Sequence, residues 1–196
     1  MAAPAQVSQG WILAKQGQFK EALYFFQQAQ KLDPQIDLNP KTKIIDKEPS
    51  VVAGKLAAPV KVKQGERLVK EGKVAEAIAA LQQAQKLDPN LKISAYSWNR
   101  LCRFGSLHKH AAEVMFACEK AVTLAPENGG IRDSRGLARA LTGNTKGAIE
   151  DFQAYIESEW YYNRIAQRQR WIDALRANKN PFTDEEIKSL FNEWFY

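Results

Sequence analysis

The sequence predicts an all-α fold built from repeated antiparallel helix pairs. The main observation is an internal duplication, because the octapeptide QQAQKLDP occurs at residues 27–34 and again at residues 82–89. An ungapped alignment of residues 3–34 with residues 58–89 gives 18 identities in 32 positions. In both copies, glycines and alanines occur at the same intervals between a first glycine (Gly10 or Gly65) and a final proline (Pro34 or Pro89). Repetition of one short unit is typical of repeat architectures.

Each copy contains the elements of one helical hairpin. A glycine on the first helix lets a second helix approach closely, and another glycine seven residues later supplies the positive φ of a tight turn. Two alanines at i and i+7, with a large apolar residue at i+4, mark one face of the second helix. A proline then ends that helix. These residues are Gly10, Gly17, Ala22, Phe26, Ala29, Leu32 and Pro34 in the first copy, and Gly65, Gly72, Ala77, Leu81, Ala84, Leu87 and Pro89 in the second.

This skeleton resembles the tetratricopeptide repeat, a helix–turn–helix unit of about 34 residues. Two further units can be aligned with the family pattern. The third rests on Trp98, Leu101, Cys102, Ala121, Leu124 and Pro126, and the fourth on Gly136, Gly143, Ala148 and Phe152. The resemblance implies a right-handed superhelical solenoid of about four antiparallel helix pairs with C-terminal capping helices.

A polar insert separates the two duplicated copies. We expect it to be a linker with one short helix over residues 50–57, which leads to Pro59 and a separate helix over residues 60–71. The predicted division is a first repeat over 1–34, the insert over 35–57, repeats over 58–91, 92–127 and 128–160, and capping helices over 161–196. All of these belong to one predicted solenoid domain.

The third repeat departs from the family pattern at its turn. Lys109 stands where the turn glycine belongs, so we expect a shifted or longer turn there.

Two helices are predicted beyond the fourth repeat. The first, over residues 160–178, is amphipathic and suits the terminal cap that repeat arrays need. Its predicted buried side consists of Trp160, Ile165, Trp171, Ile172 and Leu175. A capping box, Thr183-Asp184-Glu185-Glu186, begins the last helix, which should end near residue 194. We expect Phe191, Trp194 and Phe195 to pack on the preceding helix, and a homo-oligomer contact is the alternative for this aromatic segment.

Composition excludes several classes of protein. The chain is 45% apolar and 26% charged, close to the globular average. Its two cysteines are too few for a disulfide scaffold. There is no apolar run long enough to cross a membrane, and the start MAAPAQVSQGW lacks the pattern of a secretory signal, so we expect a cytoplasmic protein.

No motif points to catalysis, a cofactor or a metal. The patterns GxxxxGK[ST], GxGxxG, HExxH and GxSxG are absent, so we expect neither an enzyme nor a cofactor. Cys102, His108, His110 and Cys118 form the only cluster of metal-ligand or thiol type, and its spacing matches no common zinc pattern. Both cysteines fall on the apolar seam of the third hairpin, so the favoured interpretation is packing. A metal site or a Cys–His nucleophile is the alternative.

The predicted function is protein binding by an adaptor or scaffold. In the family, the first helices of the repeats line a concave groove that holds partner peptides. Helical geometry at 100° per residue turns a set of side chains away from the seams toward that groove. The candidate partner-binding residues are Trp11, Lys15, Lys63, Glu66, Arg67, Lys70, Asn99, Arg100, Arg103, Ser134 and Leu137. The middle of this set is basic, which predicts an acidic protein or peptide partner; an ordinary solvated face is the structural alternative.

Two other functions stay open. Nucleic-acid binding is one alternative, because the net charge is +6 and the predicted helix over residues 160–178 carries four arginines, Arg164, Arg168, Arg170 and Arg176. The net charge is, however, modest for a nucleic-acid-binding protein. Residues 98–153 also resemble a tail found on bacterial multidomain signalling proteins, which implies a regulatory module of such a system.

Overall fold

The computed structural model describes the backbone of residues 1–41 and 47–195 and the side chains up to residue 193. Within these residues the chain forms ten helices and no strand, so the predicted all-α class is confirmed. The helices are α1 (Ala3–Lys15), α2 (Phe19–Leu32), α3 (Pro49–Lys70), α4 (Val74–Leu87), α5 (Ala95–Leu107), α6 (Ala111–Leu124), α7 (Gly129–Leu141), α8 (Thr145–Ser158), α9 (Tyr162–Arg176) and α10 (Asp184–Phe195).

The chain divides into two compact units. Unit 1 contains residues 1–67 and 75–92, and unit 2 contains residues 68–74 and 93–196. Unit 1 therefore holds α1, α2 and most of α3 and α4. Unit 2 holds α5 to α10, with the hairpins α5–α6 and α7–α8 at the positions predicted for the third and fourth repeats.

The hairpin α1–α2 closes over the small residues that the sequence pattern singles out. A Cβ added at Gly10 would lie 2.6 Å from the ring of Phe26, so only glycine permits this approach of the two helices. The core of unit 1 consists of Val7, Ala14, Ala22, Phe26 and Ala29, together with Leu38, Val52 and Ala53 from the insert. Part of the predicted linker thus contributes to the core, while residues 42–46 of that linker lie outside the described residues.

The predicted break before Pro59 is wrong. α3 is one helix of 22 residues with Pro59 inside it. An interior proline costs about 3 kcal/mol in isolation, but the helix around it is buried at Ala53, Ala57 and Ala58. Gly54 also lies against the carbonyl of Leu87 at the end of α4, within unit 1. Apolar packing of this half of α3 therefore offsets the helix-breaking tendency of the proline.

The turn of the third hairpin is not displaced. Gly17, Gly72 and Gly143 have positive φ of 78°, 79° and 85°, as the pattern predicts. Lys109 takes the same conformation, with φ of 68°. The expected shift or lengthening is wrong, because the lysine adopts the left-handed backbone that glycine adopts in the other turns.

The C-terminal helices are joined to the α7–α8 hairpin by an aromatic cluster. The ring centroids of Phe152 and Trp171 are 5.3 Å apart, and those of Trp171 and Phe182 are 5.1 Å apart. The backbone N–H of Glu186 donates to the Thr183 hydroxyl at 3.3 Å, as the capping box predicts. Trp160 is 93% exposed rather than buried, because α9 begins only at Tyr162.

Candidate functional site

The predicted groove residues are divided between the two units. Trp11, Lys15, Lys63, Glu66 and Arg67 belong to unit 1, and Lys70, Asn99, Arg100, Arg103, Ser134 and Leu137 belong to unit 2.

Trp11 is engaged within unit 1. Its indole N–H donates to the carbonyl oxygen of Leu38 at 2.8 Å, so the insert is tied to the exposed side of α1. The ammonium groups of Lys15 and Lys41 lie 5.3 and 5.2 Å from the ring centroid, within the range of cation–π attraction. The ring is therefore half-buried under its own neighbours, and it offers a partner less surface than the sequence pattern suggests.

The basic residues of α3 line a surface cavity in unit 1. Lys63 and Arg67 are exposed on one side of the helix, as helical geometry predicts, and Glu66 between them is half-buried. The opposite wall is the turn between α1 and α2. The lining residues are Gln16, Gly17, Gln18, Val60, Lys61, Lys63, Gln64 and Arg67.

In unit 2, four predicted site residues surround one cavity of about 280 Å³. Its lining residues are Lys70, Tyr96, Asn99, Arg100, Arg103 and Phe104. The five that belong to α5 share one face because their spacing is close to helical repeats of three and four. The ammonium group of Lys70 lies 5.6 Å from the ring centroid of Phe104. The side-chain oxygen of Asn99 is buried and accepts no hydrogen bond from any described residue.

Arg103 forms the floor of this cavity and does not face outward as predicted. It is 6% exposed, and its Nη2 donates to Oδ2 of Asp133 at 3.1 Å. The same carboxylate accepts from Nη2 of Arg168 at 2.8 Å and from Nε of Arg168 at 3.0 Å. Burial and the nearby charge of Arg168 lower the pKa of Arg103 to about 9, against the opposing effect of Asp133. The three side chains join α5, α7 and α9 in one buried charge cluster.

Ser134 and Leu137 also differ from the predicted orientation. Both are buried, and the Ser134 hydroxyl donates to the carbonyl of Gly130 at 3.1 Å within α7. The physical reason is that α7 packs against α5 and α6 of the preceding hairpin as well as against its own partner α8, so the side that would be exposed in a single hairpin is covered. The predicted apolar end of the groove is therefore part of the interior of unit 2.

Sequence reasoning missed a second ion cluster on α7. The fully buried carboxylate of Asp151 accepts hydrogen bonds from Arg132, Arg135 and Arg139 at distances of 2.7 to 3.3 Å. Glu119 of α6 binds Arg135 and Arg139 at 2.8 and 3.0 Å. The spacing of the arginines at i, i+3 and i+7 places them on one helical face, and this was the available signal.

The cysteines form a disulfide within unit 2. Cys102 of α5 and Cys118 of α6 are bonded to each other, with Cα atoms 4.8 Å apart, and both are fully buried among Ala111 and Ala138. The predicted seam position is confirmed, whereas the bond itself was not anticipated. In this oxidised form neither sulfur is available as a nucleophile, and the part of the chain with described side chains holds no group of three or more residues suited to a metal ion.

The two histidines of this region have separate partners. Nε2 of His108 lies 3.1 Å from the carbonyl oxygen of Lys70, and Nδ1 of His110 lies 2.8 Å from a carboxylate oxygen of Glu113. These contacts leave the histidines as parts of the turn between α5 and α6.

Among the helices described, none is long and apolar enough to cross a membrane.

Comparisons with known proteins identify the duplicated part of the chain. Residues 3–36 and 60–91 each match a model of the tetratricopeptide repeat. These segments coincide with the two copies of the internal duplication, so the predicted repeat type is confirmed for the first and second units. No curated protein matches the chain at a significant level.

A solved structure extends the likeness in fold to most of the chain. The chain is similar to the crystal structure of the P58(IPK) TPR domain, with a TM-score of 0.55 and 17% sequence identity. The similarity covers 90% of this chain and 47% of that chain, so the chain spans about half the length of the structure it matches. At this identity the similarity shows the fold alone, and the predicted helical-repeat class is confirmed.

Proposed function

We propose that the chain is a protein-interaction module whose unit 2 binds an acidic segment of a partner protein in the cavity along α5. Tetratricopeptide repeats generally mediate protein–protein interactions, and two such repeats are present. The observation that carries the proposal is the convergence of Lys70, Arg100 and Arg103 with two aromatic rings around one cavity.

The chemistry of the cavity supports an acidic ligand. Guanidinium and ammonium groups donate charge-assisted hydrogen bonds to carboxylates, and these are about twice as strong as neutral ones. The exposed ring of Tyr96 adds apolar surface of the kind that anchors interfaces, and the buried ring of Phe104 lies behind it in the cavity wall. The buried oxygen of Asn99 can accept a backbone N–H from an extended or helical segment.

The test is a peptide selection followed by titration. Displayed random peptides are selected on the full-length chain, and we expect enrichment of Asp and Glu. The selected peptide is then titrated against Lys70→Ala/Arg100→Ala, for which we expect at least tenfold weaker binding, equivalent to about 1.4 kcal/mol. Arg103 is excluded from the set, because its removal would disturb the buried pair with Asp133.

The matched control is Arg170→Ala/Lys179→Ala. It removes the same charge from exposed positions of unit 2 outside the cavity, so binding should stay within twofold of wild type. Equal weakening by both double variants, or selection of peptides without acidic residues, would contradict the proposal.

The structure weakens the case for nucleic-acid binding through α9. Three of its four arginines lie beside carboxylates of the chain: Arg164 beside Glu159 at 3.5 Å, Arg168 beside Asp133, and Arg176 beside Asp173 at 3.9 Å. These groups would have to exchange a bound carboxylate for a phosphate. The predicted cytoplasmic location and the place in a bacterial signalling system stay predictions.

A further inference from the structure

We infer that the face of α5 in unit 2 is a docking surface for an acidic amphipathic helix, and that α10 is its displaceable intramolecular occupant. This inference rests on the proposed function, and it names both the class of partner and the means of regulation.

The position of α10 breaks the order of the hairpins. α9 packs against α8, its predecessor in the chain, whereas α10 contacts α5, which lies two hairpins earlier. The ring of Phe191 lies 4.8 Å from the ring of His108, and Nζ of Lys109 binds Oδ1 of Asp184 at 2.9 Å. The last helix therefore lies along the C-terminal part of α5. The ring of Phe191, which was predicted to pack on α9, contacts His108, and the predicted packing of Trp194 and Phe195 falls on side chains outside the described residues.

The chemistry of α10 complements that of α5. Residues 184–195 contain four acidic residues and one lysine, a net charge of −3. Ile187 and Leu190 supply a buried apolar side. The negative charge of Glu193 acts to raise the pKa of both Arg103 and Arg168. An acidic helix with an apolar face is thus already seated beside the basic residues of the cavity.

Arg103 links the occupied and open parts of the face. It forms the floor of the cavity, and the negative charge of Glu193 near the end of α10 acts to raise its pKa. A partner helix that enters the cavity and extends along α5 would therefore reach the place where α10 lies. The two acidic helices would compete for the same face of α5.

The first turn of α10 and the rest of the helix are attached to different elements. The ion pair between Lys109 and Asp184 is highly exposed, with side-chain exposures of 76% and 83%, and such pairs hold weakly. The first turn of α10 is held to α9, because Gln167 Nε2 and Trp171 Nε1 donate to Glu186 at 3.0 and 2.8 Å. Displacement would then free the part of α10 beyond Glu186, with the first turn as its hinge.

The test uses a fluorescein-labelled peptide with the sequence of residues 181–196. We expect the chain with Phe191→Ala to bind this peptide at least tenfold more tightly than wild type. The reason is that loss of the ring contact with His108 weakens the attachment of α10 to α5. The same peptide carrying Glu193→Lys should lose that gain. Leu124→Ala, which truncates an exposed apolar side chain of α6, is the matched control and should bind like wild type.

Hydrogen exchange keeps the inference testable. Phe191→Ala should speed exchange in residues 187–193 while the amides of α5 to α8 keep their protection. If Phe191→Ala does not fold, Phe191→Leu, which removes the ring contact with His108 and keeps an apolar side chain, takes its place. Equal peptide affinity in wild type and variant, or wild-type protection of α10 equal to that of α5 to α8, would overturn the inference.

The outcomes separate this inference from the proposed function. If selected acidic peptides bind wild type and Phe191→Ala equally, α10 is not an occupant, and the cavity function stands. If selection yields no acidic peptide while Phe191→Ala binds the α10 peptide tightly, the cavity function fails and the docking surface is supported.

Discussion

At the scale of single residues, the hairpin turns show how one backbone conformation is reached with different residues. Gly17, Gly72 and Gly143 take positive φ without steric cost, whereas Lys109 takes it with a Cβ present. The sequence pattern could identify the glycines from their residue type. It could not identify the lysine, because lysine rarely adopts this conformation, and only the packing of α5 against α6 requires it.

Lys109→Gly should therefore stabilise the protein. Relief of the left-handed strain is worth about 1 kcal/mol, and the exposed pair with Asp184 that is lost contributes less. Urea unfolding of both proteins measures the change. Gly143→Ala is the converse control: apart from the adjacent residues, no heavy atom of the described part of the chain lies within 4 Å of the added Cβ, so its expected loss of about 1 kcal/mol is purely conformational. If Lys109→Gly is less stable than wild type, the contacts of the lysine side chain contribute more to the free energy of unfolding than its backbone strain costs.

Glu159 is a second residue whose environment predicts a measurable effect. Burial opposes its charge, but hydrogen bonds from the Tyr155 hydroxyl and from the backbone N–H groups of Tyr161 and Trp160 lower its pKa to about 2. Because the pKa is lower in the folded state than in the unfolded state, this stabilisation is complete above about pH 4.5. It is lost as the pH falls toward 2.

The comparison of wild type with Glu159→Gln tests this effect. The difference in unfolding free energy between the two proteins should shrink as the pH falls from 5 to 3, because the wild-type carboxylate takes up a proton on unfolding. The same comparison with Glu157→Gln, at an exposed position near the end of α8, is the control. A difference that stays constant with pH would mean that Glu159 is not stabilised in its charged form.

At the scale of helices, local packing decides how much could be predicted. The hairpins follow from residues within one repeat unit, such as Gly10 and Phe26, so periodicity within the unit predicts them. α3 was predicted as two helices because proline is a strong local signal, whereas the packing that keeps it continuous involves Leu38 and Leu87 at distant positions. The arrangement of α10 on α5 is likewise long-range, and no periodicity signals it.

The disulfide between α5 and α6 makes a prediction at this scale. A bond that closes a loop of 16 residues should stabilise the fold by about 3 kcal/mol through the entropy of the unfolded chain. Urea unfolding with and without a reductant should differ by that amount. The variant Cys102→Ala/Cys118→Ala should not respond to reductant, which separates the bond from general effects of the reagent.

Thiol trapping in the native cells connects this bond with location. Disulfides persist in oxidising compartments and are rare in the cytosol. If the trapped protein carries the bond, the predicted cytoplasmic location is wrong. If both thiols are free in the cell, the bond forms only when the protein is oxidised in solution. The two cysteines then serve in the cell as small apolar residues that pack between α5 and α6.

At the scale of the whole molecule, the candidate site was predicted in part. Lys70, Asn99, Arg100 and Arg103 were chosen from helical geometry, and the structure brings them to one cavity. Ser134 and Leu137 were chosen by the same geometry and are buried. The difference arises because a helical face that is exposed in a single hairpin can be covered by a neighbouring hairpin, as α7 is covered by α5 and α6.

The net charge of the molecule predicts the kinetics of the proposed interaction. A charge of +6 attracts an acidic segment over a distance set by the Debye length, about 30 Å at 0.01 M salt and about 3 Å at 1 M. Long-range attraction raises the association rate constant, whereas contacts inside the cavity set the dissociation rate constant. We therefore expect the association rate constant for a selected acidic peptide to fall at least tenfold between these salt concentrations.

Two variants separate the charge of the whole molecule from the cavity. Lys20→Glu/Lys31→Glu reverses two exposed charges of α2 and takes the net charge from +6 to +2. Stopped-flow measurements at low salt should show slower association and an unchanged dissociation rate. Arg100→Ala should show the opposite, because it removes a direct contact while it changes the net charge by only one unit. If both variants alter the same rate constant, steering by the whole molecule and capture in the cavity are not separate steps, and the acidic segment binds through its charge alone.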